Sequence, residues 1–111
     1  MSLNIAAIRE REQGERRVAL IPPVAQRLQH LGCTTAIETE AGAASFYPDA
    51  TYKDTTIQSD VGELLTIADI VIAVNPPTPD MIAKMRSGSI LISFIYGRHH
   101  PDVVKALQAP T

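Results

Sequence analysis

Short apolar runs alternate with amphipathic segments along this chain. Residues 3–8, 34–38, 70–74 and 89–95 are rich in aliphatic or β-branched side chains, a composition typical of strands. Residues 55–58 predict one further short strand. The run at 70–74, Ile-Val-Ile-Ala-Val, does not alternate with polar residues. This predicts a central strand of a parallel sheet, buried on both faces.

Helical patterns lie between these runs. Pro22 and Pro23 mark the start of a first helix, because proline is tolerated in the first helical turn, and Gly32 supplies its end. The apolar face of this helix is predicted to comprise Val24, Leu28 and Leu31. Residues 40–52 carry Gly42 and Pro48 and predict an irregular segment with a helical turn near residues 49–53.

Three further helices follow from the pattern. The first is capped by Ser59 or Asp60 and runs through Leu64, Leu65 and Ile67. The second covers residues 80–86, with Met81, Ile82 and Met85 on one face. The third covers residues 101–107, with Val103, Val104 and Leu107 inward. The alternation of strands and helices predicts an α/β fold. We expect a mostly parallel, doubly wound (Rossmann- or flavodoxin-like) sheet of about four to five strands, with helices on both faces.

Residues 9–21, here named the charged loop, follow the first predicted strand. Such a loop lies at the carboxyl edge of a parallel sheet, where these folds bind their ligands. Arg17 is expected to point a permanently charged, forked donor into that cleft, suited to carboxylate or phosphate. A surface ion pair with Glu12 or Glu15 is the alternative for Arg17, and Arg16 is expected to be solvated.

Composition narrows the class of protein. The chain has 111 residues, 45% hydrophobic and 20% charged, with a net charge of -2, which suits one small globular domain and gives no attraction to nucleic acid or anionic membrane. Cys33 is the one cysteine, which fits a reducing, cytoplasmic location. No apolar run approaches the roughly 18–20 residues of a membrane helix, so no direct membrane insertion is expected. His99 and His100 are adjacent and no cluster has ligand spacing, so no metal site is expected.

Residues 9–22, R-E-R-E-Q-G-E-R-R-V-A-L-I-P, resemble the N-terminal signature shared by alanine dehydrogenases and the α subunits of proton-translocating NAD(P) transhydrogenases. The similarity continues through E-A-G-A at 40–43, A-V-N-P-P at 73–77 and P-D-V-V-K-A-L at 101–107. The order and spacing of these segments together make the resemblance specific.

Two positions discriminate within that family. The resemblance places a substrate-holding lysine of alanine dehydrogenase at Asn75, and its catalytic histidine at Tyr96. An amide carries no charge for a carboxylate, and a phenol with a pKa near ~10 is a poor proton shuttle at neutral pH. The stretches around both residues are similar to the transhydrogenase patterns V-N-x-P and S-F-I-W-P. Arg17, Asn75 and Tyr96 are therefore predicted to line a cofactor cleft, and no catalytic residue is predicted.

The transhydrogenase resemblance implies an NAD(H) site shared with a second domain that carries a glycine-rich phosphate loop. This chain contains no G-x-G. We therefore expect residues 1–111 to be a truncated N-terminal domain without the NAD-binding second domain, inactive alone and binding NAD only weakly. The implied partners are the rest of the α subunit, the membrane β subunit and a second copy in a homodimer, peripheral at the cytoplasmic face of the inner membrane.

Two alternatives stay open at this point. The chain is a fragment of an alanine dehydrogenase or saccharopine-type dehydrogenase, or it is a non-catalytic α/β module that binds a small anion or a protein partner.

Overall fold

The computed structural model describes residues 3–94 and 101–108. Within these ranges, five strands form one sheet in the order β3-β2-β1-β4-β5, and every neighbouring pair is parallel. The strands are β1 (Asn4–Ala7), β2 (Thr34–Glu38), β3 (Thr56–Gln58), β4 (Ile70–Ile72) and β5 (Ile90–Ile92); the helices are α1 (Pro22–His30), α2 (Val61–Ile67), α3 (Pro79–Lys84) and α4 (Pro101–Gln108). The predicted parallel, doubly wound α/β fold is confirmed.

Helices cover both faces of the sheet, since successive side chains of a strand point to opposite faces. On one face, Ala6 and Val71 pack with residues of α2 and α3 in a core made of Ala6, Ile8, Leu64, Leu65, Ala68, Val71, Ala73 and Met81. On the other face, Ala7 and Ile37 pack with Ala25 of α1 in a second core, which adds Val18, Leu20, Ala41 and Tyr52. Small residues in β1 let both layers approach the centre of the sheet.

The chain reverses its winding direction between β1 and β4. From β1 it proceeds through β2 to β3 at one edge, and from β4 it proceeds to β5 at the other edge. These two central strands pair in register, with Ala7 opposite Ile72. Loops leaving their carboxyl ends diverge to opposite sides, which opens a crevice at this point of a doubly wound sheet.

Helix α1 begins at Pro22 as predicted, but its predicted apolar face is wrong at two of three positions. Val24 is 40% exposed and Leu31 is 79% exposed. Ala25 is buried instead, with Ile21 and Leu28 packed beside it against the same core. The fully buried Leu20 fixes the chain just before the helix and thereby sets which face meets the sheet.

The last predicted strand is shorter than its apolar run. Strand β5 pairs only with β4 in the described ranges, and Ile90 and Ile92 are 55% and 57% exposed, while Leu91 packs against the first core. Apolar composition alone therefore overstated the burial at this edge. Helix α4 is confirmed, and its Leu107 faces a concave surface shared with Ile82 and Leu91 but stays 41% exposed. The predictions for Ile95 and for the side chains of Val103 and Val104 lie outside the described residues.

Candidate functional site

The charged loop is fastened to the tip of β2 by a buried carboxylate. Glu38, the last residue of β2, is 5% exposed and accepts the backbone N–H of Arg9 at 2.8 Å. Its two oxygens also accept from both terminal nitrogens of the Arg11 guanidinium, Nη1 at 2.9 Å. Because a buried carboxylate is tolerated only with such partners, this pair fixes the start of the loop.

A turn separates this anchor from the rest of the loop. The N–H of Glu15 donates to the carbonyl of Glu12 at 3.0 Å, and Gly14 has φ of 82°. That left-handed conformation suits glycine, which has no Cβ. The turn brings Glu15 back toward the sheet.

Glu10 ties the loop to the tip of β4. Its carboxylate accepts the consecutive backbone N–H groups of Val74 at 2.8 Å and Asn75 at 2.9 Å, and the Asn75 side-chain Nδ2 at 3.3 Å. Val74 and Asn75 lie beyond the end of β4 at Ile72, so their N–H groups need a partner other than a strand ladder. Glu10 supplies that partner across the β1–β4 crevice.

Glu15 joins the two described cleft residues that the sequence predicts. Its Oε1 accepts Asn75 Nδ2 at 2.8 Å and Arg17 Nη2 at 2.7 Å, and its Oε2 accepts Arg17 Nε at 2.8 Å and the Arg17 backbone N–H at 2.9 Å. The Glu15 side chain is 9% exposed, whereas that of Arg17 is 68% exposed. Hydrogen bonds from the Arg17 side chain lower the pKa of Glu15 to about 2, so this carboxylate is ionised at neutral pH.

Two of the three predicted site residues lie in the described part of the chain. Arg17 and Asn75 meet through Glu15 at the carboxyl edge of the sheet, and the ion pair of Arg17 with Glu15 that the sequence suggested is observed. Arg17 borders two open concave surfaces, one shared with Glu40 and one shared with Phe94. Tyr96 lies outside the described residues. Arg16 is exposed as predicted.

The crevice beside Asn75 is small. Between the charged loop, Asn75 and Thr78 lies a cavity of about 130 Å³, which also touches the buried Met81. Pockets for whole drug-sized ligands have roughly 300–1,000 Å³. This cavity therefore accommodates a small polar group rather than a dinucleotide.

Sequence reasoning did not assign roles to Glu10 and Glu38. It took the carboxylates of the charged loop as a charge pattern, with Glu15 considered only as a partner of Arg17. One signal was available for Glu38, since it ends a β-branched run at the predicted ligand edge. For Glu10 no sequence signal indicated its partners, because the tip of β4 is more than sixty residues further along the chain.

The sheet order and the polar crevice at its reversal point define a doubly wound α/β domain, a class of fold that binds ligands at the carboxyl ends of the strands that flank the reversal. Residues 6–110 match the family model described as "Alanine dehydrogenase/PNT, N-terminal domain". The chain belongs to this family, as the motifs at residues 9–22 and 73–77 predict.

Individual relatives agree with that assignment. The chain is 31% identical over 105 residues to NAD(P) transhydrogenase subunit alpha of Haemophilus influenzae, covering 95% of this chain and 20% of that subunit. It is 29% identical over 107 residues to alanine dehydrogenase 2 of Staphylococcus aureus, covering 95% of this chain and 28% of the enzyme. The solved transhydrogenase of Sinorhizobium meliloti has the same fold, with a TM-score of 0.85 at 24% identity over 94% of this chain and 31% of that one.

The chain thus spans between a fifth and a third of the length of these relatives. In the part of the chain that the structure describes, no helix has the length and apolar character needed to cross a membrane.

Proposed function

We propose that this domain is the N-terminal part of a transhydrogenase α subunit and forms one wall of its NAD(H) crevice. In the complete protein, that crevice serves hydride transfer between NADH and NADP+ coupled to proton translocation. The remaining polypeptide of the α subunit, the membrane β subunit and a second copy of the chain are the proposed partners. The proposed location is the cytoplasmic face of the membrane, without insertion by this domain.

One observation carries this proposal: Asn75 stands at the tip of β4 between two carboxylates. Its side-chain amide donates to Glu10 and Glu15, and its backbone N–H also donates to Glu10. An alanine dehydrogenase needs a cation here to hold the carboxylate of its substrate. A neutral amide flanked by negative charge disfavours such a substrate, because like charges at this distance repel.

The residues of the crevice fit part of a nicotinamide cofactor. Asn75 and Arg17 offer polar contacts, and the small cavity suits the carboxamide end of a nicotinamide. The chain has no G-x-G segment, so the pyrophosphate has no glycine-rich loop here to hold it. Residues 1–111 would therefore bind NAD(H) weakly by themselves, with the main contacts supplied by a second domain.

An alanine dehydrogenase domain is the second candidate, favoured by the 29% identity to the S. aureus enzyme. The two candidates differ in the response that they predict at position 75 to small carboxylates. A transhydrogenase wall responds to a nicotinamide nucleotide and ignores pyruvate or alanine. An alanine dehydrogenase wall responds to these small carboxylates as well.

The test is a titration of the isotope-labelled chain, followed by amide chemical shifts. NADH at millimolar concentration should move the signals of Asn75 and Arg17, whereas pyruvate at the same concentration should not. An Asn75→Lys variant should gain a response to pyruvate, and Asn75→Ala serves as its uncharged control. Submillimolar NADH affinity would contradict the proposal that the main contacts lie elsewhere, and a pyruvate response of the unmodified chain would favour alanine dehydrogenase.

A further inference from the structure

The direction of the Asn75 side-chain amide is determined by its neighbours. Its Nδ2 donates to Glu15 Oε1 at 2.8 Å and to Glu10 Oε1 at 3.3 Å, and an amide nitrogen has two hydrogens to give. Reversing the amide would put its oxygen against two carboxylates, an arrangement of acceptors only. The orientation in which nitrogen faces both carboxylates is therefore the stable one.

The Asn75 side-chain oxygen is consequently turned to other partners. Across residues 3–94 and 101–108, no donor reaches this Oδ1. Asn75 is half-buried and lines the small cavity beside the charged loop. A ligand that reaches Oδ1 forms a hydrogen bond with it only by donating one.

The backbone donors at the same place are already used. Consecutive N–H groups, such as those of Val74 and Asn75, form a cradle that suits an anion. Here the carboxylate of Glu10 fills that cradle, at 2.8 Å and 2.9 Å. An incoming carboxylate or phosphate could use this cradle only by displacing Glu10 while facing its negative charge. Arg9 and Arg11 also line the cavity, but the Arg11 guanidinium already donates to Glu38.

We propose that Glu10 determines the ligand specificity of this crevice. By filling the amide cradle and, with Glu15, fixing the direction of Asn75, Glu10 makes the tip of β4 accept hydrogen bonds rather than donate them. The crevice then selects a neutral group with an N–H donor, such as a primary carboxamide, over a carboxylate. This inference rests on the proposed function, because it names which end of the cofactor meets Asn75 and how.

Nicotinamide and nicotinate form a matched pair of probes, since they differ only in carrying a carboxamide or a carboxylate. Each is titrated into the labelled chain at neutral pH, and the side-chain amide of Asn75 and the backbone amides of Val74 and Asn75 are followed. In the unmodified chain nicotinamide should bind at least about tenfold tighter than nicotinate, the range expected when a buried polar group is mispaired. Equal or tighter binding of nicotinate would overturn the proposal.

Two variants test the part played by Glu10. Glu10→Ala empties the cradle and should bring nicotinate to at least the affinity of nicotinamide, with the Val74 and Asn75 backbone amides moving most. Glu10→Gln keeps the size of the side chain and removes its charge, so it should raise nicotinate affinity by a smaller factor and serves if Glu10→Ala fails to fold. Glu63→Ala removes an exposed carboxylate on α2, which does not line the cavity, and controls for the loss of charge alone.

The outcomes separate this inference from the function on which it rests. If nicotinate affinity is unchanged in every folded Glu10 variant, Glu10 is not the specificity determinant, even where NADH still moves Asn75. If the Glu10 variants gain nicotinate as expected but NADH leaves the crevice of the unmodified chain undisturbed, the selectivity of the crevice is supported and the cofactor role is refuted. A gain of nicotinate affinity in Glu63→Ala equal to that in Glu10→Ala would show a general charge effect and overturn the proposal.

Discussion

The two sides of the sheet's carboxyl edge are built differently. On the β2–β1–β4 side, the buried Glu38 and the half-buried Glu10 connect loop to strand tip by charged hydrogen bonds. On the β4–β5 side, β5 is held by its parallel pairing with β4, and its Ile90 and Ile92 are exposed. Among the described residues, geometry on the first side therefore depends on a few specific side chains, whereas the second side depends on general apolar packing and strand pairing.

The largest loss of unfolding free energy is expected from Glu38→Ala. This substitution leaves the Arg11 guanidinium and the Arg9 N–H without their acceptor, and breaking such a pair costs about 3 kcal/mol of unfolding free energy, the lower end of the range because Arg11 is partly exposed. Urea denaturation followed by circular dichroism measures the loss. Glu63→Ala, an exposed carboxylate on α2, should change stability by less than about 0.5 kcal/mol. Equal losses in the two variants would show that the Glu38 anchor contributes nothing special.

A smaller effect is expected at Tyr52, which connects the β2–β3 segment to the charged loop. The buried phenol donates to the carbonyl of Leu20 at 2.7 Å, so Tyr52→Phe should cost about 1 kcal/mol in the same assay. Tyr47→Phe is the matched control at a half-buried tyrosine.

Tyr52 also predicts a loss of stability in alkali. Burial raises the pKa of Tyr52 to about 12, above the value of roughly 10 for an unfolded tyrosine. A raised folded-state pKa gives stability that is complete below the unfolded value and is lost as the pH rises from about 10 towards 12. The unfolding free energy of the unmodified chain should fall more steeply over this window than that of Tyr52→Phe. If the two proteins lost unfolding free energy equally over this pH range, Tyr52 would not be the group responsible for the loss.

At Glu15 the expected change is mainly in titration rather than in stability. Its pKa of about 2 depends first on the Arg17 side chain, so Arg17→Ala should raise the pKa of Glu15 towards the ordinary glutamate value. Arg16→Ala removes the neighbouring exposed arginine and should leave this pKa low. Carbon-detected NMR of the carboxyl group measures both.

The lowered pKa of Glu15 also determines how the stability of the fold changes as the pH falls. A depressed folded-state pKa stabilises the fold above the unfolded value near 4.3 and ceases to do so as the pH falls towards 2. Because Arg17 is 68% exposed, solvent screens the pair, and the contribution at neutral pH should be below about 1 kcal/mol. A loss above that size in Arg17→Ala would show that the pair is less screened than its exposure indicates.

The smallest change in stability is expected at the exposed edge. Ile92→Thr should alter the unfolding free energy by less than about 0.5 kcal/mol, because the side chain already faces solvent. Self-association, measured by sedimentation velocity, should decrease, since exposed apolar edge strands favour association. Val24→Thr on helix α1, an exposed apolar residue that lies on no strand edge, is the control. A large loss of stability at Ile92 would show that this side also depends on specific packing.

Much of the fold followed from local patterns. The apolar run at 70–74 predicted a central strand, and β4 lies between β1 and β5. Asp60 caps α2 as predicted, accepting the N–H of Gly62 at 2.9 Å. Such features depend on neighbouring residues, which a sequence displays directly. The exposed faces of α1 and β5 did not follow, because they depend on which other segments cover them.

The candidate site was predicted in part for the same reason. Arg17 and Asn75 were placed at one edge, since the carboxyl ends of parallel strands share an edge. The hydrogen bonds that join them pass through Glu15, and those of Glu10 span more than sixty residues of sequence. The pairing of each carboxylate with its amide depends on the three-dimensional fold and could not be inferred from the spacing of residues along the chain.

The turn around Gly14 has a consequence for how this loop can vary in length. It lies between the Glu10 and Arg11 anchors on one side and the Glu15 anchor on the other. Apart from its chain neighbours, no residue in the described part of the chain lies within 4 Å of the position a Gly14 Cβ would take. Residues inserted at this exposed bend would extend into solvent without moving either anchor. The domain can therefore acquire a longer arm for contacting a neighbouring domain while the groups around Asn75 keep their positions.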